Sequence, residues 1–275
     1  MATGLVAAAL ASKPVRERTA RVLPLDPDNP VHGFALVLVV ILFGTQVSTI
    51  FFTSLAITAQ STVGIGDLVA QAVGLLILAA AGVGIFVRRD GTQVAARLGL
   101  VRPAWWHIAL GLAAAGAFLV VAQATDELGR TLTPDIYRQL QTNTNQLFGG
   151  LVSNPMGIAA IALAPAISEE ILFRGALQPR IGLIATALLF ASFHSQYGLS
   201  FDTLAVFAIA IGLGLLRKFT NTTTSVISHA TYNLAIAIGI TGSDLYVAIA
   251  LEAILVAAAV YGIWLERRGT VRVES

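Results

Sequence analysis

The chain has 275 residues, of which 56% are hydrophobic and only 12% are charged. Soluble domains carry about a quarter charged residues, so these side chains are too few to cover a surface that faces water on all sides. The net charge is only +2, the basic residues form no stripe of the kind that binds nucleic acid, and the lack of cysteine excludes disulfides and thiolate metal ligands. The composition therefore predicts a protein that lies in a lipid bilayer.

Long apolar stretches predict helices that cross this bilayer. A helix needs about 20 apolar residues to cross the hydrocarbon core. Eight stretches have a suitable length and composition: residues 33–58, 66–87, 105–125, 155–178, 181–197, 201–217, 222–241 and 245–265. Because these runs lack the alternating pattern of barrel strands, we predict an all-α polytopic bundle of about eight transmembrane helices.

Basic residues collect in alternate connecting segments, which lie on the same side of the bilayer, and in both terminal segments. Because basic residues favour the cytoplasmic side, this pattern predicts that both termini are cytoplasmic. We interpret residues 1–32 as a cytoplasmic segment with an interfacial lead-in, 33–266 as a single transmembrane domain, and 267–275 as a cytoplasmic tail. The polar stretch 126–154 predicts a helix on the outer face or a cap over the bundle. The charge pattern is typical of a bacterial inner membrane protein.

Ionisable side chains inside these spans indicate a functional site, because each costs at least about 2.5 kcal/mol on insertion scales. Three clusters carry them: Glu169, Glu170 and Arg174 in the fourth span, Phe190 and His194 in the fifth, and His229 and Asn233 in the seventh. A helical rise of about 1.5 Å per residue places the clusters in one layer of the membrane. We therefore expect them to meet in space.

Helical spacing separates the two glutamates. Glu170 and Arg174 lie four residues apart, as in an intrahelical ion pair, so we assign Glu170 to structure. Glu169 lies on another face of the helix without that partner, and desolvation makes an unpaired carboxylate a stronger proton acceptor. Pro165 predicts a kink one turn before Glu169, because proline cannot donate to the carbonyl of Ile161.

The three clusters resemble the motifs of the CPBP family of intramembrane proteases, which includes the type II CAAX prenyl endopeptidases and bacteriocin-processing and immunity proteins. The family pattern EExxxR, FxxxH and HxxxN is matched in order within a motif-bearing core of residues 155–240. The resemblance implies an intramembrane endopeptidase that hydrolyses a peptide bond of a membrane-associated peptide or protein, whether lipidated or not. The first 150 residues match only in hydrophobic character, so substrate choice is not implied.

The resemblance also implies a role for each motif residue. Glu169 is expected to be the general base, His194 to orient the attacking water, and His229 with Asn233 to stabilise the oxyanion. Three further residues are expected to support this site structurally: Glu170, Arg174 and Phe190. No cofactor is expected. A zinc ion held by two histidines and a carboxylate is the less favoured alternative, because the HExxH spacing is absent.

Two other functions use the same sequence features. One is a catalytically silent membrane scaffold or regulatory partner with the same fold. The other is a transporter or proton relay, which needs a polar path across the bilayer, whereas the polar side chains here concentrate in one layer. Glu252 in the eighth span has no motif partner, and we predict that a neighbouring helix or water satisfies it.

Overall fold

The computed structural model describes residues 2–22, 25–52, 62–240 and 245–273. These parts of the chain are helical and contain no β-strand, which confirms the predicted all-α class. The end of the first predicted span, residues 53–58, and the last two residues of the predicted tail lie outside the described residues.

The helices follow one another with short connections. They are α1 (Ala2–Ala11), α2 (Lys13–Thr19), α3 (Pro30–Phe52), α4 (Ile65–Gly82), α5 (Gly91–Leu98), α6 (Trp105–Leu132), α7 (Pro134–Val152), α8 (Pro155–Glu169), α9 (Gln178–Ile181), α10 (Leu183–Ser192), α11 (Phe201–Phe219), α12 (Thr222–Ala237) and α13 (Leu245–Val273). A π-helix, Glu170–Leu177, joins α8 to α9, and a 3₁₀ turn, Ser195–Tyr197, follows α10.

Four of the described helical stretches are long and apolar enough to cross a membrane. They are Ile65–Gly82, Trp105–Leu132, Pro155–Ile181 and Ala248–Arg268. These stretches indicate an integral membrane protein. The total of eight spans and the cytoplasmic position of both termini stay predictions. The helix in the predicted fifth span is shorter than expected, since α10 has only 10 residues.

Helix α6 is the centre of the bundle and packs against α7, α11, α12 and α13. Helix α8 packs between α4 and α12, and the π-helix that continues it contacts α4, α5 and α12. The first and third motifs lie on α8 with its π-helical continuation and on α12. Direct packing of these elements therefore brings the two motifs together.

The polar stretch 126–154 is mostly helical, formed by the end of α6 and by α7, while its position on the outer face stays a prediction. Helix α7 packs against α6 and α8 and buries one apolar face, formed by Leu140, Leu147 and Leu151. The side chain of Asn154 then begins α8 by accepting a hydrogen bond of 2.8 Å from the backbone N–H of Gly157. This cap fixes where the helix of the first motif begins.

A single glycine reverses the chain between the first and second motifs. Gly182 has φ +82°, a left-handed backbone conformation that favours glycine because it lacks Cβ. The reversal ends α9 and begins α10, which then packs back against the π-helix. The second motif is thereby placed beside the first.

Candidate functional site

The helix of the first motif changes its winding at the glutamate pair. Helix α8 ends at Glu169, and Glu170 begins the π-helix. π-Helical turns are rare and occur frequently at functional sites. Because the π-helix is wound more widely than an α-helix, the angular positions expected from α-helical spacing do not hold after Glu169. The sequence pattern did not predict this segment.

Glu170 and Arg174 form the ion pair predicted from their spacing. Arg174 Nε lies 3.2 Å from Glu170 Oε2, and both side chains are fully buried, with 0% of each residue exposed. The same guanidinium donates from Nη2 to the carbonyl oxygen of Ala210, 3.3 Å away on α11. Removing one partner of such a buried pair leaves an uncompensated charge, so the pair ties the π-helix to its neighbours.

The second oxygen of Glu170 contacts the third motif, which the sequence did not predict. Glu170 Oε1 lies 2.9 Å from His229 Nδ1, and His229 is also buried. Because an ionised carboxylate only accepts hydrogen bonds, this contact assigns the proton of the ring to Nδ1. Nε2 of His229 is then the nitrogen left for a further partner, and the carboxylate fixes the orientation of the ring.

His194 lies just beyond the end of α10, whereas the sequence predicted it inside a membrane span. Its Nδ1 lies 3.1 Å from the carbonyl oxygen of Phe190. A carbonyl only accepts, so Nδ1 carries the proton and Nε2 of the neutral ring presents a lone pair. Tyr197 stacks on the imidazole with ring centres 6.2 Å apart. Sequence reasoning missed Tyr197, whose only signal is its position in the turn that follows His194.

The ring of Phe190 connects all three motifs. The guanidinium carbon of Arg174 lies 4.3 Å from the centre of this ring. The imidazoles of His194 and His229 lie 4.9 and 6.1 Å from it, measured between ring centres. Phe190 is itself buried, so both imidazoles and the buried cation are held around one rigid apolar group.

Glu169 has a different environment from its neighbour. The residue is 8% exposed, and its Oε2 is buried without a hydrogen-bond partner among the described residues. Buried polar atoms in proteins are nearly always hydrogen-bonded, so an exception of this kind requires an explanation. A site for water or substrate at Glu169 would provide one.

Asn233 reaches across from α12 to α8. Its Nδ2 donates to the carbonyl oxygen of Ile161 at 3.4 Å. Pro165 cannot donate a hydrogen bond to this carbonyl, because proline has no backbone N–H. The sequence predicted that this carbonyl lacks its helical hydrogen bond but did not predict Asn233 as its donor. Asn233 therefore joins the two helices, and the second N–H of its amide is left for another acceptor.

The described residues contain no group of three or more His, Asp or Glu side chains close enough to hold one metal ion. The two histidines and the carboxylate of the zinc alternative do not form such a group. Two cavities of about 590 and 470 Å³ flank α10. Neither of these two cavities is lined by Glu169, His194 or His229.

Comparison with known protein families finds a match over the motif-bearing segment. Residues 151–235 match the family described as type II CAAX prenyl endopeptidase Rce1-like. This segment contains all three motifs, and the match supports the family resemblance predicted from them. It supports a protease, and therefore a hydrolase, with a peptide or protein substrate. No curated protein and no solved structure matches the chain.

Proposed function

We propose that the protein is an intramembrane endopeptidase in which Glu169 activates a water molecule for attack on a peptide bond. The contrast between the two adjacent buried glutamates carries this proposal. Glu170 forms ion-pair contacts with both Arg174 and His229, whereas Glu169 Oε2 is buried without a hydrogen bond and Glu169 belongs to no ion pair within the described residues. An unpartnered carboxylate in dry surroundings is suited to take a proton from water.

The substrate is a membrane-associated peptide or protein. As the water oxygen bonds to the carbonyl carbon, Glu169 takes one proton from the water. Glu169 then gives this proton to the leaving nitrogen when the C–N bond breaks. His194 accepts a hydrogen bond from the same water at Nε2, because its Nδ1 proton is held by the carbonyl of Phe190.

The negative charge that develops on the substrate oxygen needs fixed donors. His229 is one of them when its ring carries a proton on each nitrogen, with the Nδ1 proton held by the carboxylate of Glu170. The free N–H of Asn233 is the second donor. Phe190 and Arg174 hold these groups in place without contacting the substrate. No step in this mechanism requires a metal ion, and we expect zinc chelators to leave the activity unchanged.

The decisive experiment is quantitative proteomics on a bacterial host that expresses the wild-type chain or Glu169→Gln. We expect shortened membrane peptides in the wild-type sample and a loss of at least about 100-fold in the variant, the usual contribution of a general base. Glu252→Gln is the matched control, because Glu252 is another carboxylate in an apolar helix and lies outside the motifs.

Equal amounts of shortened peptides from wild type and Glu169→Gln would reject Glu169 as the base. Absence of any difference between the wild-type host and one without the protein would favour the silent scaffold. In that case, a deletion strain rescued by Glu169→Gln would assign the scaffold role directly. Activity that is lost on chelation and restored by zinc would instead assign a metal-dependent mechanism.

A further inference from the structure

Four arginines interact electrostatically near α5, the helix that packs against the π-helix. They are Arg89, Arg97, Arg180 and Arg217. Burial and the neighbouring guanidinium charges of the other three lower the pKa of Arg97. Like charges repel one another, so an anion bound beside these arginines would stabilise them, and the described side chains form no ion pair with any of the four.

Two hydrogen bonds around His32 show a second deficit of acceptors. Arg180 Nη1 lies 2.7 Å from His32 Nε2, and the backbone N–H of Asp26 lies against His32 Nδ1 at 2.9 Å. Both partners are donors, but a neutral imidazole has only one nitrogen that accepts. One of the two N–H groups therefore lacks an acceptor. Arg217 repeats the pattern, since its Nε is buried without a partner in the described structure.

An apolar cavity of about 470 Å³ includes Arg180, one of the four arginines, in its lining. Arg180 and His32 line its polar end, and aliphatic side chains from α3, α4 and the π-helix line the rest, among them Leu36, Leu78, Leu172 and Leu177. The volume falls within the usual range for small-molecule pockets, about 300–1,000 Å³. A mainly apolar cavity with Arg180 in its lining complements a ligand with an anionic head and a hydrocarbon tail.

We propose that this cavity binds one anionic glycerophospholipid, with its phosphate against Arg180, which lines the cavity, in the field of the neighbouring Arg97, and with one acyl chain between α3, α4 and the π-helix. Guanidinium groups match phosphate oxygens in a bidentate geometry. Basic pockets between transmembrane helices near the membrane surface bind such headgroups. Leu172 lies on the same π-helix as Glu170 and Arg174, so the acyl chain packs against the element that carries the ion pair. This site is separate from the proposed hydrolysis.

The first test measures lipid binding to the purified full-length protein by native mass spectrometry. Dioleoyl phosphatidylglycerol and dioleoyl phosphatidylcholine serve as the anionic and zwitterionic probes. We expect phosphatidylglycerol to bind more tightly, and Arg97→Gln/Arg180→Gln to weaken its binding about 30-fold, as two lost cations near the membrane surface imply. The double variant Arg130→Gln/Arg138→Gln removes two exposed arginines elsewhere and should leave binding unchanged.

A second pair of variants tests the acyl-chain part of the cavity. Gly82 lines the cavity and a Cβ there meets no atom within 4 Å, so Gly82→Leu should fold and fill the space. Gly74 lies on the same helix with equally open surroundings but does not line the cavity, and Gly74→Leu is the matched control. We expect phosphatidylglycerol to raise the unfolding temperature of wild type and Gly74→Leu but not of Gly82→Leu.

Three results with the lipids would overturn the proposal, and a fourth comes from headgroup probes. The first three are equal binding of the two lipids, phosphatidylglycerol binding that survives Arg97→Gln/Arg180→Gln, and unimpaired lipid stabilisation of Gly82→Leu. Inorganic phosphate and glycerol 1-phosphate are included as headgroup probes without a chain. Binding of either as tightly as the lipid would assign a soluble anion instead and would also reject the lipid site.

Discussion

Two membrane helices of this protein have similar composition and opposite surroundings. Half of the 18 most apolar consecutive residues of Pro155–Ile181 are buried, whereas only 11% of the corresponding residues of Ala248–Arg268 are buried. The buried helix contains Glu170 and Arg174, and the exposed one presents Ile and Leu outward. The buried helix therefore carries an ion pair within an apolar interior, whereas the exposed helix turns apolar side chains outward.

Arg174→Leu should have the largest effect on stability, because it leaves the buried carboxylate of Glu170 without its cation. We expect a loss of about 3–5 kcal/mol in the free energy of unfolding, measured by SDS titration in mixed micelles. Arg138→Leu is the control, since it removes an exposed ion pair with Asp135 and should cost less than about 1 kcal/mol. Similar losses in both variants would show that the buried ion pair contributes no more to the free energy of unfolding than the exposed one.

Gly175→Ala tests how closely the π-helix is packed. A Cβ at Gly175 lies 2.8 Å from the carbonyl oxygen of Leu98, so α5 must shift, and we expect a loss of about 1–3 kcal/mol in unfolding free energy. Gly74→Ala on α4 meets nothing within 4 Å and should instead stabilise its helix by up to about 1 kcal/mol. The same unfolding titration measures both changes, and effects of the same sign would contradict the packing described.

Ile254→Ala on α13 should have the smallest effect. Ile254 is 64% exposed in the chain alone, so a shorter side chain loses few protein contacts and the change should stay within about 0.5 kcal/mol. Leu213→Ala on α11 is the buried counterpart, with 0% exposure and an expected loss of about 2–5 kcal/mol. A large loss for Ile254→Ala would indicate that α13 packs against a further protein surface.

Within the site, the spacing of residues along one helix accounts for the contact that the sequence predicted correctly. The ion pair of Glu170 and Arg174 follows from an interval within one helix, and it survives the change from α to π winding. The contact of Glu170 with His229 depends on how α8 with its π-helical continuation packs against α12, 59 residues further along the chain. No interval within one helix encodes this packing, so the structural glutamate was predicted and its histidine partner was not.

The end of α10 shows a different limit. No glycine or proline interrupts residues 183–197, so the apolar pattern predicted a helix through His194. The helix ends at Ser192, and the imidazole of His194 bonds back to the carbonyl of Phe190. A side chain that bonds the backbone near a helix end competes with helix continuation, and this competition leaves little trace in a hydropathy pattern.

The link between Asn233 and Ile161 bears on how the protein is made. Chains are synthesised from the N-terminus, so α8 reaches the bilayer while α12 is still on the ribosome. During that interval the carbonyl of Ile161 and Oε1 of Glu170 lack the hydrogen-bond partners that α12 later supplies. Assembly of the polar interior therefore has to wait for a late helix, and a nascent chain truncated before α12 should be a preferred target of membrane quality control.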